Sequence, residues 1–140
     1  MRLFLAAPYS HPDHRKKAER RKATDKWALR LMIAGHKVFS PITHTAPLES
    51  LMVIGEQPPA EFWLGQSLEF ISWADEIWVL GLHGWEKSEG VGEEIWKGRE
   101  EGKRIFLMDK NSGDLRRISI EEENLRIGEV EKGFKVEGSE

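Results

Sequence analysis

Apolar residues fall along this chain in two alternating rhythms. R-L-F-L-A-A-P (2 to 8) is a continuous apolar run stopped by proline, the pattern of a strand buried on both faces. Residues 12 to 35 change to helical spacing, with Pro12 suited to a first turn and Gly35 to a stop. Trp27, Ala28, Leu31 and Met32 lie on one stripe of that helix. H-K-V-F-S-P-I (36 to 42) predicts a second strand, again halted by proline, and residues 43 to 58 read as a long linker. A second helix is expected over 59 to 74, burying Phe62, Trp63, Leu68 and Ile71. E-I-W-V-L-G-L (76 to 82) predicts the third strand, with a loop L-H-G-W-E-K after it. A third helix begins in K-S-E-G-V-G-E-E-I-W-K-G (87 to 98) and ends near Gly102, and R-I-F-L-M-D (104 to 109) is the fourth strand. N-S-G-D then reads as a turn, and the tail to Glu140 stays open between short strands and helix.

This alternation predicts an α/β fold: a three-layer Rossmann/flavodoxin-like domain with a mostly parallel sheet of four to five strands and right-handed crossovers. At 140 residues the chain is expected to form a single domain over 1–140, with a C-terminal extension from about 111 to 140. Ligands in such folds bind at the carboxyl ends of the strands. That edge is expected to gather Pro8, Tyr9 and Ser10, then Ser40, Pro41 and His44, then Gly81 to Trp85, and the 87–94 stretch.

Composition narrows the chemistry. There is no cysteine, which excludes disulfides, thiolate metal sites and cysteine nucleophiles. The apolar runs are too short to span a bilayer and the N-terminus is too briefly apolar for a secretory signal, so a soluble cytoplasmic protein without membrane partners is expected. A net charge of −3 argues against a general nucleic-acid binder. The charge is uneven, however: Arg15, Lys16, Lys17, Arg20, Arg21, Lys22 and Lys26 crowd one segment against Glu19 and Asp25. That segment reads either as a solvated helix face or as a device that steers an anionic substrate.

The glycines of the 87–98 stretch do not make a nucleotide loop. G-x-G-x-x-G would need glycine where Ile95 stands, and no G-K-[ST] follows, so both nucleotide fingerprints fail. Ser88 stands where an N-cap would, and Gly90 and Gly92 leave backbone amides accessible, so a single anion at a helix N-terminus is compatible with the pattern. Of the adjacent carboxylates, Glu94 shares the apolar face with Val91 and Ile95, whereas Glu93 shares an exposed face with Lys97. A carboxylate on an apolar stripe is costly unless it is paired or working. Asp75, just before the third strand, is a second acid. His11 and His14 have no third ligand nearby, so no metal and no cofactor is expected, and no serine sits in a G-x-S-x-G elbow. Trp63 and Trp85 read equally as core fillers and as rings that stack on a base.

With these residues in view the chain resembles the nucleoside 2-deoxyribosyltransferase superfamily. S-E-G-V-G-E-E (88 to 94) is similar to the S-x-G-V-G-x-E segment of the 2′-deoxynucleoside 5′-phosphate N-hydrolases. A-P-Y-S, G-H-K-V-F-S-P-I-T-H and G-W-E-K-S-E-G-V are similar to a phage and bacterial family of unknown function in that superfamily; the likeness covers roughly residues 2 to 109. The resemblance implies an enzyme in which Glu94 is a nucleophile at the anomeric carbon, Asp75 assists at the base, and Tyr9 lies near the nucleophile and sugar. It implies that Ser88, in place of the transferases' aspartate, meets a 5′-phosphate; Gly90 and Gly92 by their amides, and Ser10 and His44 by their place at the carboxyl edge, are the further binding candidates, His44 reading equally as a surface histidine. The expected activity is hydrolysis of the base–sugar bond of a (2′-deoxy)nucleoside 5′-monophosphate. Base exchange by a deoxyribosyltransferase and a nucleotide-binding module without turnover are the alternatives. Many relatives carry an aspartate where this chain has Ser67. The resemblance also implies a homodimer or larger homo-oligomer whose site a neighbouring subunit completes, with Ser112, Arg116, Arg117 and Ser119 as the available donors.

Overall fold

The structure, a computed structural model, describes residues 1–53, 55–120 and 134–138. Six strands form one sheet: β1 (Arg2–Ala6), β2 (Lys37–Phe39), β3 (Glu76–Leu80), β4 (Arg104–Met108), β5 (Leu115–Ile120) and β6 (Phe134–Val136). Their order is β2-β1-β3-β4-β5-β6. The first four pair in parallel, and β5 and β6 extend the sheet antiparallel beyond β4. Four helices complete the described chain: α1 (His14–Ile33), α2 (Pro41–Glu49), α3 (Ala60–Trp73) and α4 (Glu89–Glu100), with a short 3-10 turn at Trp85–Lys87.

The apolar runs of the central strands are fully buried because helices cover both faces of the sheet. Side chains alternate across the pleat. Leu3, Leu5, Trp78, Leu80 and Met108 pack with Ala28 and Leu31 of α1 on one side. Phe4, Ala6, Ile77, Val79 and Ile105 pack with Ile71 of α3 and Val91 and Ile95 of α4 on the other. The three-layer α/β reading therefore holds, with one strand more than expected.

The local expectations needing correction are instructive. The presumed linker over 43 to 58 begins as a helix. Pro41 does end β2, but it also takes the first helical position, where it needs no donor, and the Ser40 hydroxyl caps the turn by accepting the Thr43 N–H at 3.2 Å. Pro47 sits inside α2. In α1, Met32 is 45% exposed and leaves the buried stripe, while Trp27 is half-buried against the core and donates its indole N–H to the Lys110 carbonyl at 2.9 Å. Phe62 is also exposed, whereas Ile71 is fully buried. The N-S-G-D turn forms, with the Asp109 carboxylate accepting the Asn111 and Ser112 N–H groups at 2.8 Å.

One close approach fixes α4 on the sheet. A Cβ on Gly98 would stand 2.1 Å from Ile77 Cδ1, inside a core where Ile77 has no exposed surface. Glycine there lets the helix backbone rest directly on β3. Gly98→Ala is expected to destabilise the protein by about 1–3 kcal/mol in urea unfolding. Combining it with Ile77→Val, which removes the obstructing methyl, should cost less than the sum of the two single changes.

Candidate active site

The carboxyl ends of β1 and β3 diverge here: the chain leaves β1 toward α1 on one face and leaves β3 toward α4 on the other. Such a switch point opens a crevice between the two loops. A side chain that the sequence reading did not single out ties them together. Arg20 of α1 donates from Nη1 to the Ser10 carbonyl at 2.9 Å and from Nη2 to the His83 carbonyl at 3.0 Å. Gly84 has φ +86°, and a Cβ there would stand 3.2 Å from Arg20 Nη2, so the brace and this glycine belong together. In the sequence Arg20 is one cation among seven in its segment, and nothing in their spacing singles it out.

After β3 the chain turns through Trp85–Lys87 into α4. Ser88 is the N-cap, its hydroxyl accepting the Val91 N–H at 3.3 Å. The Glu89 and Gly90 amides take no partner among the described residues, and both residues are exposed. Gly92 is buried and its N–H bonds the Ser88 carbonyl. Glu94, one and a half turns into α4, is 5% exposed among Val91, Ile95 and Gly98 of the same helix face. No described residue gives it a hydrogen bond or an ion pair. Burial alone pushes its carboxyl up to about 8. Glu93 is exposed, as the helical spacing predicts, but makes no ion pair with Lys97.

The remaining expected residues separate. Asp75 does not join this edge. It stands at the start of β3, the amino-terminal edge of the parallel sheet, where its carboxylate accepts the Arg2 backbone N–H at 2.8 Å and pairs with the Arg2 guanidinium at 3.2 Å. Those bonds hold its carboxyl below the usual range. A five-residue strand, about 16 Å long, separates it from the carboxyl edge. Trp85 is a core residue, 7% exposed and stacked with Phe134 at 6.4 Å, so it is not placed to meet a ligand. Ser10 is exposed and offers its carbonyl to Arg20. His44 is exposed on α2, tilted against Phe39 and Phe70. Ser67 is buried and bonds back to the Trp63 carbonyl at 3.2 Å. Ser112, Arg116, Arg117 and Ser119 lie beyond β4, in the turn and along β5.

Tyr9 follows β1 and turns toward α1 and α2. Its hydroxyl donates to Glu49 Oε2 at 2.9 Å, and Glu49 in turn pairs with Lys17 at 3.3 Å. Two cavities flank this contact. One of about 90 Å³ is lined by Lys17, Glu49, Met52, Gln57, Pro58 and Trp63. The other is an open groove of about 600 Å³, running from Tyr9 along Lys17, Arg21, Lys22 and Lys26 of α1. Among the described residues no three histidine, aspartate or glutamate side chains converge to hold a metal, and no described helix is long and apolar enough to cross a membrane.

Residues 1–110 match a family described as a domain of unknown function (DUF1937). The chain belongs to that family. None of the curated proteins compared with it matches. Among solved structures, the 2-deoxyribosyltransferase of the psychrotolerant bacterium Bacillus psychrosaccharolyticus is similar, with a TM-score of 0.57 and 24% identity over 80% of this chain and 74% of that one. The protein thus has the 2-deoxyribosyltransferase-like fold that its motifs resemble.

The buried carboxyl of Glu94 has a thermodynamic signature. From its ordinary value of 4.5 up to about 8, the unfolded chain has lost this proton while the folded chain keeps it. Stability therefore falls as pH rises across that window and levels off above it. Denaturant unfolding at pH 5 and pH 8 is expected to show a decline on the order of 2–4 kcal/mol from this group, and Glu94→Gln should abolish that share of the decline.

Proposed function

We propose that the protein cleaves the N-glycosidic bond of a (2′-deoxy)nucleoside 5′-monophosphate, with Glu94 as the nucleophile. The observation that carries this reading is a buried, unpartnered carboxyl on the first turns of a helix that opens at the ligand-binding edge of the sheet. A carboxylate kept out of water without a counter-charge raises the energy of the protein. It gains its partner when positive charge develops at the anomeric carbon.

The steps follow the retaining logic of glycosidases. Glu94 attacks the anomeric carbon as the bond to the base nitrogen breaks; the base departs with that electron pair and takes up a proton. The resulting glycosyl ester on Glu94 is hydrolysed by water, which restores the carboxylate and gives the free sugar phosphate. The free Glu89 and Gly90 amides, with the Ser88 hydroxyl beside them, support an anion at the head of α4. An aspartate at position 88 would repel the phosphate that a serine accommodates. Asp75, engaged with Arg2, has no part in this mechanism. Tyr9, after β1, and Glu49, at the end of α2, are polar groups that do lie beyond the carboxyl ends of their strands.

Similarity in fold to a 2-deoxyribosyltransferase supports a second reading, base exchange, in which a second base replaces water in the last step. A homo-oligomer that lends C-terminal residues to the site is compatible with either.

Chromatography of free base released from a panel of nucleoside monophosphates and nucleosides tests the proposal. Release from a monophosphate is expected, falling by roughly a thousandfold or more in Glu94→Ala. Unchanged release by that variant, or none from any substrate, overturns it. Because attack needs the ionised form, kcat/KM should rise with pH through the Glu94 transition near 8 and then level off. Ser88→Asp should raise KM for a monophosphate by about tenfold or more while sparing the nucleoside.

A further inference from the structure

The contact between Tyr9 and Glu49 joins three segments that are distant in sequence: the loop after β1, the first turn of α1 and the last residue of α2. The Tyr9 hydroxyl donates to Glu49 Oε2 at 2.9 Å. Lys17 Nζ stands 3.3 Å from the same oxygen and 4.7 Å from the centre of the Tyr9 ring. Lys17 therefore serves both members of the pair, as counter-ion to one and as a cation over the other. Lys17 and Glu49 line the small cavity and the open groove alike, so a ligand in either borders this cluster.

We infer that Glu49 is a positioning residue: anchored by Lys17, its carboxylate accepts the hydrogen bond of the Tyr9 hydroxyl and presents the phenol to the adjoining groove as a neutral hydrogen-bond acceptor. The phenol oxygen keeps lone pairs but has committed its proton. It can thus receive a bond from a ligand hydroxyl and does not act as an acid. Resting on the glycosidase reading above, the ligand group it meets is a sugar hydroxyl. The surrounding charges agree with a neutral phenol. Burial first, and then the Glu49 hydrogen bond and charge, push Tyr9 up to about 12, with Arg21 of α1 acting the other way and Asp25 adding to the rise. Asp25 itself is held by Arg21 at 3.8 Å and by the Thr43 hydroxyl at 2.6 Å, and the remaining cations along the groove are Lys22 and Lys26, with His14 at its end.

Tyr9 is the chain's one tyrosine, so tyrosinate absorbance near 295 nm titrates this group alone. The titration is run over the pH range in which tryptophan fluorescence reports an intact fold. At pH 11 the wild type should remain mostly protonated, while Glu49→Gln, which offers a neutral acceptor, should shift the midpoint down by about one unit or more. Glu49→Asp, one methylene short of the hydroxyl, is the second variant and should move it the same way. A midpoint that both variants leave where the wild type has it overturns the inference. For turnover, Tyr9→Phe and Glu49→Gln should each lower kcat/KM, and the double variant should be little worse than either alone; additive losses count against a shared role. If the wild type releases no base, the glycosidase reading fails, and the absorbance titration still decides the role of Glu49.

Discussion

The contact on which the site depends is the approach of α4 to β3 at Gly98. With no side chain between helix and sheet, the helix lies close enough for Ile77 and Ile105 to press against its backbone. That seat sets the rotation of α4 about its axis. Val91, Ile95 and Gly98 must face the sheet, and the spacing of 3.6 residues per turn then carries Glu94 inward with them and leaves Glu93 in water. The carboxyl is buried as a consequence of how the core packs. What keeps the arrangement affordable is that Glu94 holds its proton in the resting protein near neutral pH.

The two ends of the sheet hold their charged side chains with different partners. At the amino-terminal edge Asp75 is matched with Arg2, and buried Glu76 with Arg104 at 2.8 Å and the Trp78 indole N–H at 3.0 Å. At the carboxyl edge Lys17 and Glu49 pair with each other, but two other ionisable side chains do not find an ionic partner. Arg20 binds two carbonyls and no carboxylate, and Glu94 has no partner among the described residues. That contrast follows from topology, since loops diverge from the sheet only where β1 and β3 send their chains to opposite faces.

Most of the architecture was legible because periodicity is a local property. The apolar runs of β1 and β3, the Ala28–Leu31 part of the α1 stripe and the inward turn of Glu94 each follow from spacing alone. Asp75 was misplaced by the resemblance rather than by the pattern: its position just before a strand of a parallel sheet already puts it at the amino-terminal edge, where Arg2 holds it. Trp85 was ambiguous because a large ring serves a core or a ligand equally, and Phe134, nearly fifty positions away, decides for the core. Helix α2 was missed because a proline that stops a strand and a proline that starts a helix are the same residue. With α2 went Glu49, which no motif marks. Arg20 was hidden differently, since its partners are backbone carbonyls and carbonyls carry no sequence signature.

Helix α2 has little of its own to hold it together. It is nine residues long, and Pro47 has no N–H to return to the turn before it. Its last residue is Glu49, an anion placed where the helix carbonyls already gather negative charge. Lys17 and Tyr9 are what offset that repulsion, and both belong to other parts of the chain. The end of α2 is therefore the natural place for local opening to begin, well below the free energy of global unfolding. Amide hydrogens there should exchange early. A ligand that borders Lys17 and Tyr9 would register first as slower exchange in this turn.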